Sequence, residues 1–274
     1  MRVFAKGLSR IMATAKDIRV APISARDAAD LVRRVHYSGK VVQNSQLHLG
    51  VFLDGRLEGA MQFGPSLDKR KIQGLVRDTG WNDFIELNRM AFSDRLPRNS
   101  ESRALAIAFK MIRKHYPHIE WVISFADGTQ CGDGTIYRAA GFVLTGITEN
   151  GQIIEFPDGL RETRLVLTDS RRPRRVELAR KYGATIGGEC SLAPFLKIGA
   201  KPIDGFQLRY IYFVNRESRD RLTVPIIPFS KIEEMGAGMY RGEKVTRGKE
   251  QAPGDQPGLG GATPTTTLQS FGGD

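Results

Sequence analysis

The sequence predicts an α/β protein with a mixed sheet flanked by helices, and the main observation lies in residues 82–137. Residues 84–92 are strand-like, residues from about 100 to 115 form a strong helix pattern, and residues 121–126 form an apolar strand. In a strand–helix–strand unit, the crossover helix brings the two strands parallel and side by side. We therefore expect a parallel pair of strands within the sheet.

A β-hairpin before this unit is the second observation. Asp54-Gly55 separates two apolar runs, residues 48–53 and 57–63. An Asp-Gly pair in this position is among the clearest hairpin patterns in a sequence, because both residues accept a positive φ angle. Residues 18–23 precede the hairpin and are predicted to form the first strand.

A helix is predicted between the first strand and the hairpin. Ser24, followed by Asp27, resembles a capping box with Asp in place of Glu, and Gly39 is a natural terminator. Apolar residues recur in the helix at helical spacing. They are Ala28, Leu31, Val32 and Val35.

The order of the later elements is the third observation. Further strands are predicted at residues 141–148, 152–156 and 164–167, and the strand at 210–214 is predicted to be the last of the sheet. Residues 67–78 are predicted to form a short surface helix or loop. Residues 176–182 are predicted to form a helix that ends at Gly183.

The chain divides by composition into three parts. Residues 1–16 form a basic, flexible lead-in, and residues 17–235 form the catalytic domain, which includes a basic insertion at about 169–205. Residues 236–274 are rich in Gly, Pro, Thr and Gln and nearly lack apolar residues. Such a composition cannot bury enough surface to order itself, so a disordered C-terminal tail is expected.

The overall composition indicates an anionic partner and a reducing compartment. The 274 residues carry a formal net charge of +11 and a pI near 9.8, which favours nucleic acid as a partner. The two cysteines, Cys131 and Cys190, lack the spacing of a zinc ribbon or disulfide framework. No apolar run reaches the roughly 18 residues of a membrane span. No signal peptide is identified.

Four short motifs occur in a fixed order: Val-His-Tyr-Ser-Gly-Lys at 35–40, Glu-Leu-Asn-Arg at 86–89, Ser-Phe-Ala-Asp at 124–127 and Ile-Tyr at 136–137. The order of the predicted elements is similar to the N-acetyltransferase-like (GNAT) fold over roughly residues 17–215. The four motifs resemble those of the Mom DNA-modification proteins of Mu-like bacteriophages.

The resemblance to Mom proteins implies an enzyme that converts the N6 amine of adenine to N6-carbamoylmethyladenine. This modification protects phage DNA from host restriction, in the cytoplasm of the bacterial host. Ordinary acetyltransferases carry a glycine-containing loop at the pyrophosphate of acyl-coenzyme A. Residues 98–104 lack those glycines and include Glu101. The identity of the acyl donor therefore remains open, and the two candidates are acetyl-coenzyme A and a glycyl-tRNA.

Four residues are candidates for catalysis. His36 and Tyr37 lie at a helix end, where an imidazole can accept a proton from an amine. Asp127 follows the end of a buried strand, where α/β sheets place ligand-binding groups. Tyr137 occupies the position at which acetyltransferases often keep a tyrosine as the general acid. The alternatives are a helix-capping His36, a turn-forming Asp127 and a core aromatic role for Tyr137.

A second set of residues is expected to bind the substrate or the acyl donor. Asn88 and Arg89 can fix a carbonyl or phosphate, although an Arg89–Glu86 structural pair is the competing explanation. The free N–H groups at the start of the helix that holds Ser102 can bind an anion. The full set is Glu86, Asn88, Arg89, Ser102 and Ser124. His36, Glu86 and Asp127 could together hold a metal such as iron, but their spacing does not support it, and no metal is assigned.

The expected DNA contacts lie in an arginine-rich segment. Seven arginines fall within residues 161–180, interrupted by only three acidic residues. This density can neutralise several phosphates of double-stranded DNA, and tRNA would bind the same surface if it serves as donor. The arginines expected to contact DNA are Arg171, Arg172, Arg174 and Arg175.

Two other functions remain open. One is a conventional acetyl-coenzyme A-dependent N-acyltransferase that acts on a protein or a small amine. The other is a DNA-binding protein that kept the fold and lost catalysis, since fold alone does not specify chemistry.

Overall fold

A seven-stranded mixed sheet forms the centre of the structure, a computed structural model that describes residues 13–36, 39–128 and 134–235 and the backbone of 239–240 and 243–244. The strands follow the order β1-β2-β3-β4-β5-β10-β6. Their bounds are β1 Arg19–Pro22, β2 Leu47–Leu53, β3 Arg56–Gly64, β4 Phe84–Phe92, β5 Trp121–Asp127, β6 Val143–Glu149 and β10 Phe206–Phe213.

The pairing of β4 with β5 is parallel, and the other neighbours in this sheet are antiparallel. The predicted parallel pair is therefore confirmed. Among the described residues, β4 and β5 pair only from Phe84 to Glu86 and from Trp121 to Ile123. Beyond this point the strands are no longer paired, so an opening forms between their C-terminal halves. This strand order and the divergence agree with the predicted N-acetyltransferase-like arrangement.

A β-bulge lies on β4 next to this opening. Gln62 of β3 pairs with Arg89, whereas the next residue, Phe63, pairs with Leu87. Asn88 is therefore an extra residue on β4. Because a bulge bends and twists its strand, it changes the direction of the polar side chains near the point where β4 leaves β5.

Helices cover the two faces of the sheet. Helix α1 (Ala25–Val35) packs through Ala28 and Leu31 against Ala60 of β3. Helix α3 (Ser100–His115) packs on the opposite face, where its buried residues join the main core. That core includes Leu105, Phe109, Ile112, Met61, Phe63, Leu87 and Val122. Two short helices lie in the connections: α2 (Lys69–Gln73) and α4 (Thr135–Ala139).

The local predictions for the N-terminal half are confirmed. The Ser24 hydroxyl accepts a hydrogen bond from the backbone N–H of Asp27 at 3.0 Å, as in a helix cap. Asp54 and Gly55 have φ angles of 50° and 76°, which suit a tight hairpin turn between β2 and β3. The surface helix predicted within residues 67–78 is α2.

The segment between β6 and β10 forms a small subdomain, which we call the insertion. Its three strands are β7 (Ile153–Glu155), β8 (Arg161–Thr163) and β9 (Lys201–Pro202), in the order β8-β7-β9. Its helices are α5 (Arg164–Thr168), α6 (Pro173–Tyr182) and α7 (Ala193–Lys197). They enclose a separate core that contains Ile154, Phe156, Leu167, Leu178 and Phe195.

Two predictions for this region are corrected. Residues 164–167 form helix α5 and not a strand, because the adjacent residues Val166 and Leu167 are both buried, which a half-buried strand does not allow. The insertion also begins earlier than residue 169, since β7 and β8 belong to its sheet. Strand β10 is the last strand of the main sheet in the chain, but it lies between β5 and β6.

Most of the two predicted flexible ends lies outside the described residues. Of the lead-in, residues 1–12 are not described, and Ala15–Asp17 forms a 3-10 helix capped by Thr14. Helix α8 (Ser230–Glu234) follows the sheet. Of the predicted tail, the structure describes only the backbone of β11 (Met239–Tyr240) and β12 (Glu243–Lys244), which pair antiparallel.

Candidate active site

His36 lies at the end of helix α1, where its backbone N–H donates to the carbonyl of Val32 at 3.0 Å. The imidazole is largely buried, and this burial, with a smaller effect of the nearby Arg89 guanidinium, lowers its pKa from 6.5 to about 4. His36 is therefore neutral at physiological pH. A neutral imidazole can both donate and accept a hydrogen bond.

Arg89 of β4 is held by backbone carbonyls. Its Nε donates to the carbonyl of Lys40 at 3.1 Å, and its Nη1 donates to the carbonyl of Asn88 at 2.9 Å. The buried Asn88 side chain accepts through Oδ1 from the Ser45 hydroxyl at 3.1 Å. These bonds fix Arg89 beside the loop that follows His36.

Glu86 precedes Arg89 by three residues on β4. Its side chain lies on the sheet face opposite Ile85 and Leu87. Burial raises the pKa of its carboxyl above 4.5, and the neighbouring Ser66, Asn88 and Arg89 partly oppose this shift. Arg89 thus acts on both Glu86 and His36. Burial thus shifts the two groups in opposite directions: the pKa of the Glu86 carboxyl rises, and the pKa of the His36 imidazole falls to about 4.

A serine bridges the opening between β4 and β5. The Ser124 hydroxyl is fully buried and lies 3.3 Å from the carbonyl oxygen of Leu87 and 2.9 Å from the phenol oxygen of Tyr137. The ring of Tyr137 stacks on Tyr210 with a centroid distance of 5.0 Å. The predicted residues Ser124 and Tyr137 are therefore neighbours, and they lie where the two central strands separate.

The start of helix α4 depends on a glycine. Gly134 precedes α4 with a φ of 71°, and a Cβ at this position would lie 2.6 Å from the phenol oxygen of Tyr210. Only glycine fits both the backbone conformation and the space. It thereby allows α4 to bring Tyr137 against Tyr210 and Ser124.

Asp127 is the last residue of strand β5, pairs with Gln207 of β10 and is half-buried. This position at the C-terminal end of a strand agrees with the sequence-based expectation, and its role stays a prediction. Tyr37 lies outside the described residues, so its predicted role also stays a prediction.

Sequence reasoning missed a second histidine and a glutamine on the α1 face of the sheet. Gln62 is buried, and its amide nitrogen lies 3.2 Å from Nδ1 of His48 on β2. Within the described part of the chain, its Oε1 is buried without a hydrogen-bond partner, and its partner on the neighbouring strand is Arg89. In the sequence, Gln62 is the one polar side chain between Gly59 and Gly64 of β3, and this pattern could have identified it.

The start of helix α3 holds Ser102, which was predicted to bind the acyl donor. Asn99 precedes the helix with a φ of 68°, and its side chain does not cap the helix. The Ser102 hydroxyl donates to the carbonyl of Asn99 at 3.2 Å, and Glu101 adds a negative charge to the first turn. A role of Ser102 in donor binding stays a prediction.

Three of the four predicted DNA-contacting arginines lie on the surface of the insertion. The Arg171 side chain is 90% exposed, and both Arg171 and Arg172 contact the Asp169 carboxylate, at 3.2 and 3.3 Å. Arg174 lies 3.6 Å from Glu162. These arginines keep part of their surface open to a polyanion.

Arg175 has a structural position. It is 1% exposed, and its guanidinium donates to the carbonyls of Leu167, Gly187 and Glu189 at 2.9, 3.0 and 3.0 Å. The expectation that Arg175 contacts DNA does not fit this burial. A guanidinium has five donors in a rigid fork, which suits it to hold three loop carbonyls together.

A chain of polar contacts joins the insertion to the site. The Lys40 ammonium lies 3.3 Å from Oε1 of Glu162, and Arg174 contacts the other carboxylate oxygen of Glu162. The carbonyl of Lys40 accepts a hydrogen bond from Arg89. Ion pairs and this hydrogen bond therefore connect Arg174 of the insertion, through Glu162 and Lys40, to the candidate site.

The described residues form neither a cluster of metal-binding side chains nor a membrane-spanning helix. Among them, no three His, Cys, Asp or Glu side chains lie close enough to share a metal ion. None of the described helices is both long enough and apolar enough to cross a membrane.

The topology and the polar opening define a mixed α/β protein of N-acetyltransferase-like arrangement with a site at its diverging central strands. The model of the Mom protein family matches residues 17–231, and the chain belongs to this family. The methylcarbamoylase Mom of Escherichia phage Mu is 44% identical over 136 residues, which cover 49% of this chain and 56% of that protein. The match thus spans little more than half of this relative.

Solved structures that match this fold include acetyltransferases. The ribosomal-protein-S18-alanine N-acetyltransferase of Escherichia coli is 11% identical, with coverage of 70% of this chain and 92% of that chain and a TM-score of 0.38. An acetyltransferase of Bacillus subtilis in complex with CoA is 10% identical, with coverage of 70% and 95% and a TM-score of 0.36. At these TM-scores the superpositions support no conclusion on chemistry.

Proposed function

We propose that this protein is a DNA-modifying transferase that converts adenine N6 to N6-carbamoylmethyladenine and so protects phage DNA from restriction. Membership of the Mom family, with the similarity to the methylcarbamoylase of phage Mu, is the observation that carries the proposal. The exposed arginines of the insertion and the net charge of +11 support a DNA substrate.

The proposed site has to overcome the weak nucleophilicity of adenine N6, whose lone pair is shared with the ring. Glu86 accepts the N6 proton, because burial raises the pKa of its carboxyl, whereas burial lowers the pKa of the His36 imidazole to about 4. This assignment moves the base from His36, the sequence-based candidate, to its neighbour. His36 stays neutral and holds the base by hydrogen bonding, and Asp127 orients the amine.

The remaining groups act on the acyl donor. Asn88, the extra residue of the β4 bulge, and its neighbour Arg89 stabilise the negative charge that develops on the donor carbonyl. Tyr137, hydrogen-bonded to Ser124 at 2.9 Å, gives a proton to the leaving group. The adenine must leave the duplex stack to reach these groups.

The product restricts the donor, because its N6 carries a CH₂ group and not a carbonyl. A glycyl ester, as in a glycyl-tRNA, satisfies the atom balance. N6 attacks the ester carbonyl and releases the tRNA hydroxyl; the glycyl amine then attacks C6 through a five-membered spiro intermediate. The C6–N6 bond breaks, and the original N6 becomes the amide nitrogen. Nitrogen-15 placed at adenine N6 should therefore end in the terminal amide, and label kept on the ring-attached nitrogen would contradict this route.

The test is the nucleoside composition of DNA from cells that express the protein. Plasmid DNA is digested and deoxyadenosine is examined by mass spectrometry for the increment of a carbamoylmethyl group, with fragmentation to separate this group from its glycyl isomer. Glu86→Gln, His36→Ala and Asp127→Ala should each reduce the product strongly. Arg26→Ala, an exposed change at the other end of α1, is the matched control and should retain it.

Two results would favour the other functions. Tight coenzyme A binding, with acetylation of an amine in the absence of DNA, would identify a conventional N-acyltransferase. DNA binding by the folded protein with unmodified adenine, both in cells and in a reaction supplied with charged tRNA, would identify a non-catalytic DNA-binding protein.

A further inference from the structure

A pocket of about 910 Å³ lies at the end of the sheet where β3 stops and β4 begins, and none of the residues discussed as catalytic lines it. Its lining includes aromatic, basic and polar side chains, among them Trp81, Tyr116, His118, Lys69, Arg70 and Ser66. Trp81 is 49% exposed and Tyr116 is 42% exposed, which is unusual for side chains of this size.

Lys69 places a positive charge inside this pocket. Its ammonium lies 4.7 Å from the ring centre of Trp81 and 5.5 Å from that of Phe84, and its nearest polar contact is Oδ1 of Asn82 at 3.5 Å. No carboxylate pairs with Lys69 among the described residues. Partial burial accordingly lowers the pKa of the ammonium group. An anionic ligand would compensate this charge.

Arg70 increases the positive charge of the pocket. It follows Lys69 in helix α2, is exposed, and has no ion pair within the described part of the chain. The one carboxylate on the rim is Asp68, which precedes the helix. Two cations beside an exposed indole ring match the two parts of a nucleotide, because the phosphate needs positive charge and the base needs a flat apolar surface.

The pocket adjoins the candidate active site through Ser66. This residue lines the pocket, is buried, and lies beside Glu86. Glu86 is paired with Gly64, which also lines the pocket. Ser66 is thus shared by the lining of the pocket and the surroundings of the Glu86 carboxylate.

We propose that this pocket binds one nucleotide of the DNA strand next to the adenine that is modified. The base stacks on Trp81, and its phosphate is bound by Lys69 and Arg70. This inference rests on the proposed DNA substrate and adds a position-specific contact to it. The pocket would hold the strand after the duplex is opened and would so direct the neighbouring adenine to the site.

The two tryptophans of the chain make a direct test possible. Trp81 is half-exposed and Trp121 is fully buried, so a collisional quencher such as acrylamide acts mainly on Trp81. The full-length protein is titrated with a short single-stranded deoxyoligonucleotide, with AMP and with inorganic phosphate. We expect the oligonucleotide to protect Trp81 from acrylamide at concentrations where AMP and phosphate do not.

Variants separate stacking from charge. Trp81→Ala should weaken oligonucleotide binding roughly 5- to 100-fold, in line with the loss of one stacked base, and Trp81→Phe should recover part of it. Lys69→Ala and Arg70→Ala should each weaken binding and reduce its salt dependence by about one counterion. Arg26→Ala removes an exposed cation on α1, away from the pocket. This variant should leave the protection of Trp81 by the oligonucleotide unchanged.

Three outcomes would overturn the proposal. They are full acrylamide access to Trp81 in the presence of saturating oligonucleotide, equal protection by AMP and the strand, and unchanged affinity of folded Trp81→Ala. The readout is independent of catalysis. Protection of Trp81 without any modified adenine would reject the proposed function and keep the pocket, whereas normal modification by Trp81→Ala would reject the pocket and keep the function.

Discussion

The hydroxyl of Ser124 lies between the carbonyl oxygen of Leu87 and the phenol oxygen of Tyr137, at 3.3 and 2.9 Å. Since a serine hydroxyl carries one proton and a carbonyl only accepts, a bond from Ser124 to Leu87 requires Tyr137 to donate to Ser124. When Ser124 instead donates to Tyr137, the phenol proton points away from Ser124. Ser124 can thus control the direction in which Tyr137 delivers its proton.

Ser124→Ala should reduce turnover by about 10-fold or more, in the range that a positioned proton donor contributes, and should lower stability by about 1 kcal/mol. Tyr137→Phe should have a comparable effect on turnover. Because the two groups act as a unit, the double variant should be little worse than either single variant. Rates of nucleoside modification, with thermal unfolding as the folding control, measure this; fully additive losses would contradict it.

The pKa of His36 predicts a stability change in acid. Its folded pKa of about 4 lies below its unfolded value of 6.5, so the unfolded chain binds more protons between these values. The contribution is fully present above pH 6.5 and is lost as the pH falls towards 4, by at most about 3 kcal/mol at 1.36 kcal/mol per pKa unit. His36→Gln should flatten denaturant-unfolding profiles in this window. An unchanged slope would show that His36 is not buried as described.

Glu86 should behave in the opposite direction. Because burial raises its pKa, the stability it contributes is present below its unfolded pKa and decreases as the pH rises through its folded pKa. Glu86→Gln should therefore stabilise the protein slightly at neutral pH while it removes the proposed base. Higher stability of Glu86→Gln in unfolding experiments, together with much slower adenine modification, would show that Glu86 has a catalytic and not a structural role.

Arg171 and Arg175 should respond to truncation in contrasting ways. Arg171→Ala, at a side chain that is 90% exposed, should change stability by no more than about 0.5 kcal/mol and reduce the salt slope of DNA binding by about one. Arg175→Met leaves three carbonyls without their donor and should destabilise the insertion by about 3 kcal/mol or more. Hydrogen exchange within residues 167–189 measures the second effect, and DNA titrations at several salt concentrations measure the first.

Glu162→Gln should raise DNA affinity and lower turnover. The change removes a negative charge beside Arg174, and it also weakens the contact with Lys40, whose carbonyl holds Arg89. Such surface pairs contribute at most about 1 kcal/mol each to stability, so folding should be unaffected. If affinity and turnover change in the same direction, the link between the insertion and the site is not functional.

The sequence predicted those elements that local chemistry determines. Asp54-Gly55 requires a tight hairpin, Ser24 with Asp27 caps α1, and the apolar spacing of residues 100–115 gives α3. The misassignments concern non-local packing. Nothing near residue 206 indicates that β10 enters the sheet between β5 and β6, and the pattern of Arg164–Thr168 suits either a short helix or a strand until the insertion core buries both Val166 and Leu167.

Motif positions predicted His36, Glu86, Arg89, Ser124 and Tyr137 as site residues. The structure places His36 and Glu86 near Arg89 and places Ser124 beside Tyr137, and the roles of these residues stay predictions. The opposite pKa shifts of Glu86 and His36 depend on burial, which one sequence does not give. The same limit explains Arg175, since a buried arginine and an exposed one look alike in a basic run.

The separate core of the insertion has a thermal consequence. Ile154, Phe156, Leu178 and Phe195 pack among themselves and not with the main core, and small clusters of this kind open as cooperative units at lower free energy than the whole molecule. On warming, the insertion should unfold before the main sheet melts, and the proposed binding of DNA by its arginines should be lost first. Loss of this binding and loss of β-structure would then occur at different temperatures, so a single melting temperature would not describe this protein.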